Sequence, residues 1–233
     1  MTLGPVLGKE RAARIAKLST GKGRREAGQM LLDSLPLVDE GLRCGLIEEL
    51  FVLPDRHPEL VARAVGEGVT CTEITEPLLR KITRVEQAPG VCAVARMPAE
   101  TSWDAWRSRP RFLGVYLDEV ADPGNLGAIA RSAAAFGVDA LWLSSGCADP
   151  WSPKALRASA GALLRVEVQT EVDLAGLVTA QGDLVVLRAV ARGGQDVDPS
   201  AGDTRRLLWL GNEAHGPREV PAGLQATDVT IRL

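Results

Sequence analysis

The chain has 233 residues, of which 45% are hydrophobic and 24% are charged, and its formal net charge at pH 7 is −3. This length and composition are typical of a folded protein with one large domain or two smaller ones. No apolar run reaches the roughly 18 residues that a membrane span needs, and the N-terminus lacks the pattern of a secretory signal, so we expect a cytoplasmic protein without a membrane partner.

The first 30 residues form a basic arm. They hold seven basic and two acidic side chains, a net charge of +5, which leaves −8 for the rest of the chain. A basic arm on an acidic body suggests a polyanion partner, although a solvated helix face has the same composition. The candidate RNA-binding residues of this arm are Arg11, Arg14, Lys17, Lys22, Arg24 and Arg25.

The remainder of the first half alternates between helix and strand patterns. The predicted elements are helices over 9–18, from Arg24, over 58–65 and over 76–82, and strands over 47–53, 69–74 and 91–96. This alternation predicts a small α/β domain over residues 1–97. Residues 98–111 break the periodicity with prolines and charges, and we predict that they form a linker.

The same alternation restarts at residue 112. The predicted elements are strands over 112–117, 140–143, 166–168, 184–190 and 207–210, and helices over 125–136, from Lys154 and over 173–180. Strands that alternate with helices predict a mostly parallel sheet covered on both faces, so residues 112–233 form the second predicted domain. Ligands of such sheets collect at the carboxyl ends of the strands.

The most informative motif joins the first of these strands to a helix through Asp122-Pro123-Gly124-Asn125-Leu126-Gly127. A strand, a Pro-Gly turn and a helix place Asn125 and Arg131 where polar groups can meet a ligand. The spacing of the two glycines does not match the G-x-G-x-x-G fingerprint of dinucleotide sites. The motifs of P-loop nucleotidases, α/β-hydrolases and zinc proteases are also absent from the sequence.

A second strand leads into the polar turn Gly211-Asn212-Glu213-Ala214-His215-Gly216. Glycines let a ligand approach the backbone closely, and Glu213 can accept hydrogen bonds or orient an arginine. His215 is either a base or a surface residue. Because Asn125 and Gly211 both follow the carboxyl ends of strands, the two turns can share one pocket.

A proline-led helix start lies between these turns, at Ser152-Pro153-Lys154-Ala155-Leu156-Arg157. Lys154 and Arg157 share one helix face, which suits either phosphate contact or solvation. The four cysteines include no C-x-x-C pair, and only two histidines accompany them, so we predict four buried thiols and no metal site.

Together these three stretches resemble the SpoU branch of the SPOUT methyltransferase superfamily, and residues 1–96 look like its ribosomal-protein-like substrate-binding domain. The resemblance implies a knotted α/β domain that forms a homodimer and methylates the ribose 2′-hydroxyl of structured RNA with S-adenosylmethionine, without a metal. Ribosomal RNA is the favoured substrate, and transfer RNA is the runner-up.

The resemblance also implies roles for individual residues. Arg131 is expected to activate the ribose hydroxyl, Asn125 to hold the reacting groups and Glu213 to support the site. RNA contact is expected from the basic arm together with Lys154 and Arg157. The residues expected to bind the cofactor are Leu210, Gly211, Asn212, Gly216, Ile231 and Leu233.

The sequence departs from the family pattern near residue 233. Residues 227–233 look like the strand that leads into a third family motif of the Ser-Leu-Asn type, and the sequence stops there. If the chain ends at Leu233, we expect that the knot cannot close and that cofactor affinity is severely weakened. The alternative function is then an RNA-binding module without turnover.

Overall fold

The computed structural model describes residues 4, 6–85, 89–101, 103–196 and 204–230. The chain divides into two units: Met1–Pro98 with Asp149–Leu164, and Ala99–Ala148 with Arg165–Leu233. None of the helices within the described ranges is long and apolar enough to cross a membrane.

The first unit is built on a mixed sheet. Its elements before residue 98 are α1 (Lys9–Ala16), α2 (Gly21–Ala27), β1 (Gln29–Leu32), α3 (Leu35–Arg43), β2 (Ile47–Val52), α4 (Pro58–Gly66), β3 (Thr70–Glu73), α5 (Glu76–Thr83) and β4 (Val91–Arg96). The strand order is β1-β4-β2-β3, with β4 antiparallel to both its neighbours and β2 parallel to β3.

Sequence analysis missed β1 and α3. The strand is only four residues long, and the helix contains Gly41, which is a poor residue for a helix interior. Tertiary packing explains the glycine, because a Cβ on Gly41 would lie 2.4 Å from Cδ1 of Leu32. A close approach between α3 and β1 therefore overrides the local helix propensity.

The remaining elements are α6 (Asp104–Arg107), β5 (Phe112–Leu117), α7 (Pro123–Ala135), β6 (Ala140–Leu143), α8 (Pro153–Ala158), β7 (Glu167–Gln169), α9 (Leu174–Gln181), β8 (Val185–Ala189), β9 (Arg205–Leu210) and β10 (Thr227–Val229). All except α8 lie in the second unit. Its six described strands follow the order β10-β8-β9-β5-β6-β7, and every pairing is parallel. The predicted mostly parallel sheet is confirmed.

The prediction that residues 98–111 form a linker is wrong for most of that segment. Residues from Ala99 onward belong to the second unit, and α6 buries Trp106 to 1% exposure. The Trp106 ring packs edge-on against Trp142, with centroids 5.4 Å apart. Gly114 makes room for this cluster, because a Cβ there would lie 2.4 Å from Cζ3 of Trp142. Because the surrounding prolines and charged residues break the periodicity, sequence analysis missed the large buried side chain of Trp106.

The second predicted domain, residues 112–233, also does not form a single unit. Residues 149–164, including α8, cluster with the first unit. Two ion pairs fix this segment there: Arg157 Nη1 lies 2.5 Å from Asp33 Oδ2, and Arg24 Nη2 lies 2.5 Å from Asp149 Oδ2. Burial raises the pKa of Asp33, and the Arg157 charge opposes this shift only in part.

Tyr116 offers a direct test of the second unit's core. Its hydroxyl donates to the Val172 carbonyl oxygen at 3.1 Å, and burial raises its pKa to about 12. The folded state therefore holds the phenolic proton more tightly than the unfolded state does. The resulting stability is fully present below about pH 10 and is lost as the pH rises through the folded-state pKa.

Because Tyr116 is the only tyrosine in the sequence, difference absorbance reports its ionisation alone. We expect the midpoint near pH 12, or together with alkaline unfolding monitored by circular dichroism. Tyr116→Phe serves as the control and should abolish the absorbance change. An ionisation midpoint near pH 10 in folded protein would contradict the buried environment.

Candidate functional site

The carboxyl ends of β5 and β9 lie side by side. Leu117 pairs with Leu210 in the parallel register, and the next residue, Asp118, donates its N–H to the Leu210 carbonyl oxygen at 2.8 Å. The sheet continues on the other side of β5 through β6, so the chain leaves β5 in one direction and later returns to its opposite edge. Such a switch point forms a ligand crevice in open parallel sheets.

Asp118 ties the two turns at this edge together. Its side chain is 1% exposed, and Oδ2 accepts hydrogen bonds from Trp209 Nε1 at 3.2 Å and from the Arg218 backbone N–H at 3.0 Å. Oδ1 lies 2.7 Å from Arg218 Nη2, and this hydrogen bond raises the pKa of Arg218. A single buried carboxylate thus fixes residues before and after the second turn.

The start of α7 is fixed by its N-cap. The Asp122 side chain accepts hydrogen bonds from the backbone N–H groups of Gly124 at 2.7 Å and Asn125 at 3.0 Å, and Pro123 occupies the first helical turn. Asn125 Nδ2 then donates to Glu213 Oε1 at 2.6 Å. The structure therefore joins two of the three predicted catalytic residues directly.

The second turn permits no side chain at its first position. A Cβ on Gly211 would lie 1.9 Å from the backbone nitrogen of Pro217. Asn212 holds the turn through three hydrogen bonds of 2.8 Å: its Nδ2 donates to the Glu119 carbonyl, its Oδ1 accepts from Ala214 N–H, and its carbonyl accepts from Gly216 N–H. These contacts fix the backbone around Glu213.

Residues 113–232 match the model of the SpoU rRNA Methylase family, and this match includes both turns. The chain belongs to this family. Over 66% of its length it is 34% identical to an uncharacterized tRNA/rRNA methyltransferase of Synechocystis sp.. Over 65% of its length it is 31% identical to the 23S rRNA (guanosine(2553)-2'-O)-methyltransferase RlmP of Bacillus subtilis. The matches span 57% and 58% of these relatives, less than two thirds of their length.

A solved SpoU structure shares the fold. The SpoU methyltransferase AviRb from Streptomyces viridochromogenes, in complex with the cofactor AdoMet, superposes with a TM-score of 0.81 at 25% identity. The alignment covers 96% of this chain and 88% of that one. The α/β fold with its parallel sheet is therefore that of a SpoU-family methyltransferase.

The third predicted catalytic residue of this SpoU chain, Arg131, lies on another part of α7. It is six residues beyond Asn125, which is about 9 Å along the helix axis and about 120° around it. Arg131 lines a cavity of about 600 Å³ with Ala134, Arg165 and other residues of the second unit. It is exposed and has no hydrogen bond or ion pair within the described ranges.

The predicted cofactor residues are only partly covered by the described chain. Leu210 is the last residue of β9, and Gly211, Asn212 and Gly216 form the turn that follows, all partly buried. Ile231 and Leu233 lie outside the described residues. His215, which sequence analysis left as a base or a surface residue, is exposed.

The prediction that Arg24 contacts RNA is wrong. Its side chain is 4% exposed, and its guanidinium donates to the Leu18 carbonyl at 2.8 Å as well as to Asp149. Arg157 is 44% exposed, but it is engaged by the fully buried Asp33. Both cations hold residues 149–164 in the first unit.

The other predicted RNA-binding residues differ in how they are engaged. Arg11 is paired with Glu49, and Lys22 Nζ lies 3.7 Å from Glu26 Oε1. Three residues are exposed and form no ion pair with any other residue that the structure describes: Arg14, Lys17 and Arg25. Lys154 is exposed on α8.

No cluster of three or more His, Cys, Asp or Glu residues that could hold a metal occurs among the residues that the structure describes. All four cysteines are free thiols. Cys71 and Cys92 are buried as predicted, whereas Cys44 and Cys147 are partly exposed. Burial raises the pKa of the Cys92 thiol.

Sequence analysis missed Asp118 and Arg218. The carboxylate stands directly after an apolar strand, which is a visible signal of a site at a strand end. Its partner lies 100 residues further along the chain and outside both motifs, so no local pattern links the two.

We expect Asp118→Asn to destabilise the second unit by about 3 kcal/mol, because an amide cannot replace a buried carboxylate that accepts two N–H donors and neutralises a guanidinium. Denaturant unfolding followed by tryptophan fluorescence measures this loss. Glu119→Gln is the matched control: its side chain is 48% exposed and lies 3.8 Å from Arg218, so we expect less than about 0.5 kcal/mol. Equal losses for the two variants would contradict the assigned role of Asp118.

Proposed function

We propose that this protein methylates the ribose 2′-hydroxyl of ribosomal RNA with S-adenosylmethionine. The observation that carries this proposal is the Asn125–Glu213 hydrogen bond in the crevice at the carboxyl ends of β5 and β9. Membership of the SpoU family supports it, as do a curated relative named as a 23S rRNA 2′-O-methyltransferase and a SpoU structure in complex with AdoMet.

The residues at this crevice fit the proposed cofactor. Gly211 lets the turn close tightly on Pro217, Leu210 offers a partly buried apolar side chain, and Glu213 offers a carboxylate to a positively charged ligand. We propose that Leu210, Gly211, Asn212 and Gly216 hold S-adenosylmethionine, with Ile231 and Leu233 as further candidates. When bound, the cofactor supplies a methyl group already activated by the positive charge on sulfur.

We assign different tasks to the three polar residues. A ribose hydroxyl is a weak nucleophile at neutral pH, so cationic donors must stabilise the negative charge that develops on its oxygen. We assign Arg131 to act as such a donor, since a guanidinium carries only hydrogen-bond donors. Asn125 positions the reacting groups, and Glu213 fixes the Asn125 amide through their hydrogen bond.

We propose that the first unit binds the RNA substrate through the cations that remain exposed. RNA helices are recognised mainly by shape, phosphates and 2′-hydroxyls, which exposed arginines and lysines can contact. The candidates are Arg14, Lys17 and Arg25, together with Lys154, which is exposed on α8. Arg11, Lys22 and Arg157 are engaged by carboxylates. We also propose that this unit is a ribosomal-protein-like substrate-binding domain, as the family resemblance implies.

Family resemblance supports three further features of the proposal: a backbone knot in the second unit, a homodimer and a cytoplasmic location. For the dimer, Phe136 at the end of α7 is 82% exposed, and a second copy would remove this ring from water. Bacterial relatives named as rRNA methyltransferases support the location.

The test is methyl transfer from labelled S-adenosylmethionine to ribosomal and transfer RNA fragments. We expect Arg131→Ala to lower the rate of transfer by about 10²–10³, because it removes a donor to the developing charge, while cofactor binding stays nearly unchanged. Arg107→Ala, an exposed arginine of α6, is the matched control and should retain the parent rate.

Equal transfer rates for Arg131→Ala and the parent protein would contradict the catalytic role of Arg131. Methylation of transfer RNA but not of ribosomal RNA would mean that transfer RNA is the substrate. RNA binding without transfer to either RNA would favour a binding module over an enzyme.

A further inference from the structure

The first unit contains a cavity of about 560 Å³, and all of its lining residues belong to this unit. It is formed within this unit by α1, the following single turn, α2 and the sheet. Its size falls within the range of roughly 300–1,000 Å³ typical of small-ligand sites. The lining residues on which the inference depends are Arg14, Ile15, Lys17, Leu18, Ala27 and Val94.

The cavity combines an apolar floor with a polar rim. Ile15, Leu18 and Val94 belong to the floor and are exposed by 8%, 3% and 6%. Such a surface can accept the face of a planar ring, whereas it offers no partner to an extended charged group.

The acidic side chains at the rim each lie beside a cation, so the charge that remains uncompensated there is positive. Glu49 is engaged by Arg11 and accepts a hydrogen bond from Thr72 Oγ1 at 2.6 Å. Glu26 lies near Lys22. Arg14 and Lys17 have no hydrogen bond or ion pair from their side chains among the described residues, so both can bind an anion.

The backbone beneath this rim is held in place before any ligand arrives. The Lys17 carbonyl accepts a hydrogen bond from Thr20 Oγ1 at 2.8 Å, and the Leu18 carbonyl accepts one from Arg24. A Cβ on Gly23 would lie 2.2 Å from the Lys17 carbonyl oxygen, so only glycine permits this approach of α2. A rigid rim lowers the entropy cost of binding.

We propose that this cavity binds one unpaired nucleotide of the RNA substrate, with its base against the apolar floor and its phosphate at Arg14 and Lys17. The inference rests on the proposed RNA function and adds a single-stranded feature to the substrate. The aliphatic floor offers a base an apolar contact, and the two uncompensated cations beside it can contact the phosphate of the same nucleotide.

Two variants separate a filled cavity from a general charge effect. Ala27→Phe adds a ring at an exposed residue of the lining without changing the charge, and Lys17→Gln removes one cation without filling the cavity. Lys81→Gln is the matched control, because it removes an exposed lysine of α5 that does not line the cavity. Thermal melting checks that all three variants are folded.

The probe is a short single-stranded oligoribonucleotide that carries one 2-aminopurine and a fluorescein label. Anisotropy gives Kd, and the 2-aminopurine signal reports the environment of the base. We expect Ala27→Phe to raise Kd roughly tenfold and to abolish the 2-aminopurine change, with an unaltered salt dependence. Lys17→Gln should raise Kd and lower the salt slope by about 0.7, while Lys81→Gln stays within about twofold of the parent.

A parent protein that does not bind the probe overturns the inference, as does a folded Ala27→Phe variant with the parent Kd and 2-aminopurine signal. Methyl transfer by the parent is measured in parallel. If the parent transfers methyl groups and Ala27→Phe binds the probe as the parent does, the proposed nucleotide site is wrong and the proposed enzymatic function stands. If the variants bind the probe as expected but the parent transfers no methyl group to any RNA, the nucleotide site stands and the proposed enzymatic function is wrong.

Discussion

The parallel pairing of β5 with β9 depends on one buried carboxylate. Asp118 continues the ladder through its backbone N–H and collects hydrogen bonds from Trp209 and Arg218 with its side chain. These donors come from the strand that enters the second turn and from the residue that leaves it. Because a buried carboxylate without such partners would be costly, the residues on either side of the second turn must keep their positions for the second unit to fold. The Asn125–Glu213 hydrogen bond joins that turn to the start of α7.

Ion pairing also decides which cations of the first unit remain for a ligand. Every basic residue counts equally in the composition. Arg24 and Arg157, however, form ion pairs with carboxylates, and these pairs hold residues 149–164. Arg11 is consumed by Glu49. Exposed surface pairs contribute little to stability, whereas these pairs involve buried partners and cannot be given up without cost. The electrostatic field offered to RNA is therefore set by fewer and more localised charges than the sequence suggests.

Local patterns predicted the elements around the site because those elements are locally specified. The apolar run of β5 and the turn before α7 lie in one continuous stretch, and the ends of α7 differ from the prediction by only one or two residues. The rule that parallel strands end at one edge predicted that the turns after β5 and β9 can share a pocket, but it did not predict that Asn125 pairs with Glu213. The short β1, the proline-containing α3 and the buried Trp106 were missed because each is stabilised by packing with distant residues.

The stretch from Lys154 to Gly161 shows how packing can imitate a binding motif. Its helix face looked suited to phosphate, yet Arg157 neutralises Asp33, whose side chain is completely buried. Gly161 has a φ of +86°, and a Cβ there would lie 3.1 Å from the side chain of Glu40, so glycine is required by the backbone and by its neighbour. Arg157 and Gly161 are thus explained by how this stretch packs within the first unit. Lys154 is exposed on the same helix, whereas the engagement of Arg157 depends on Asp33, which lies 124 residues away in the sequence.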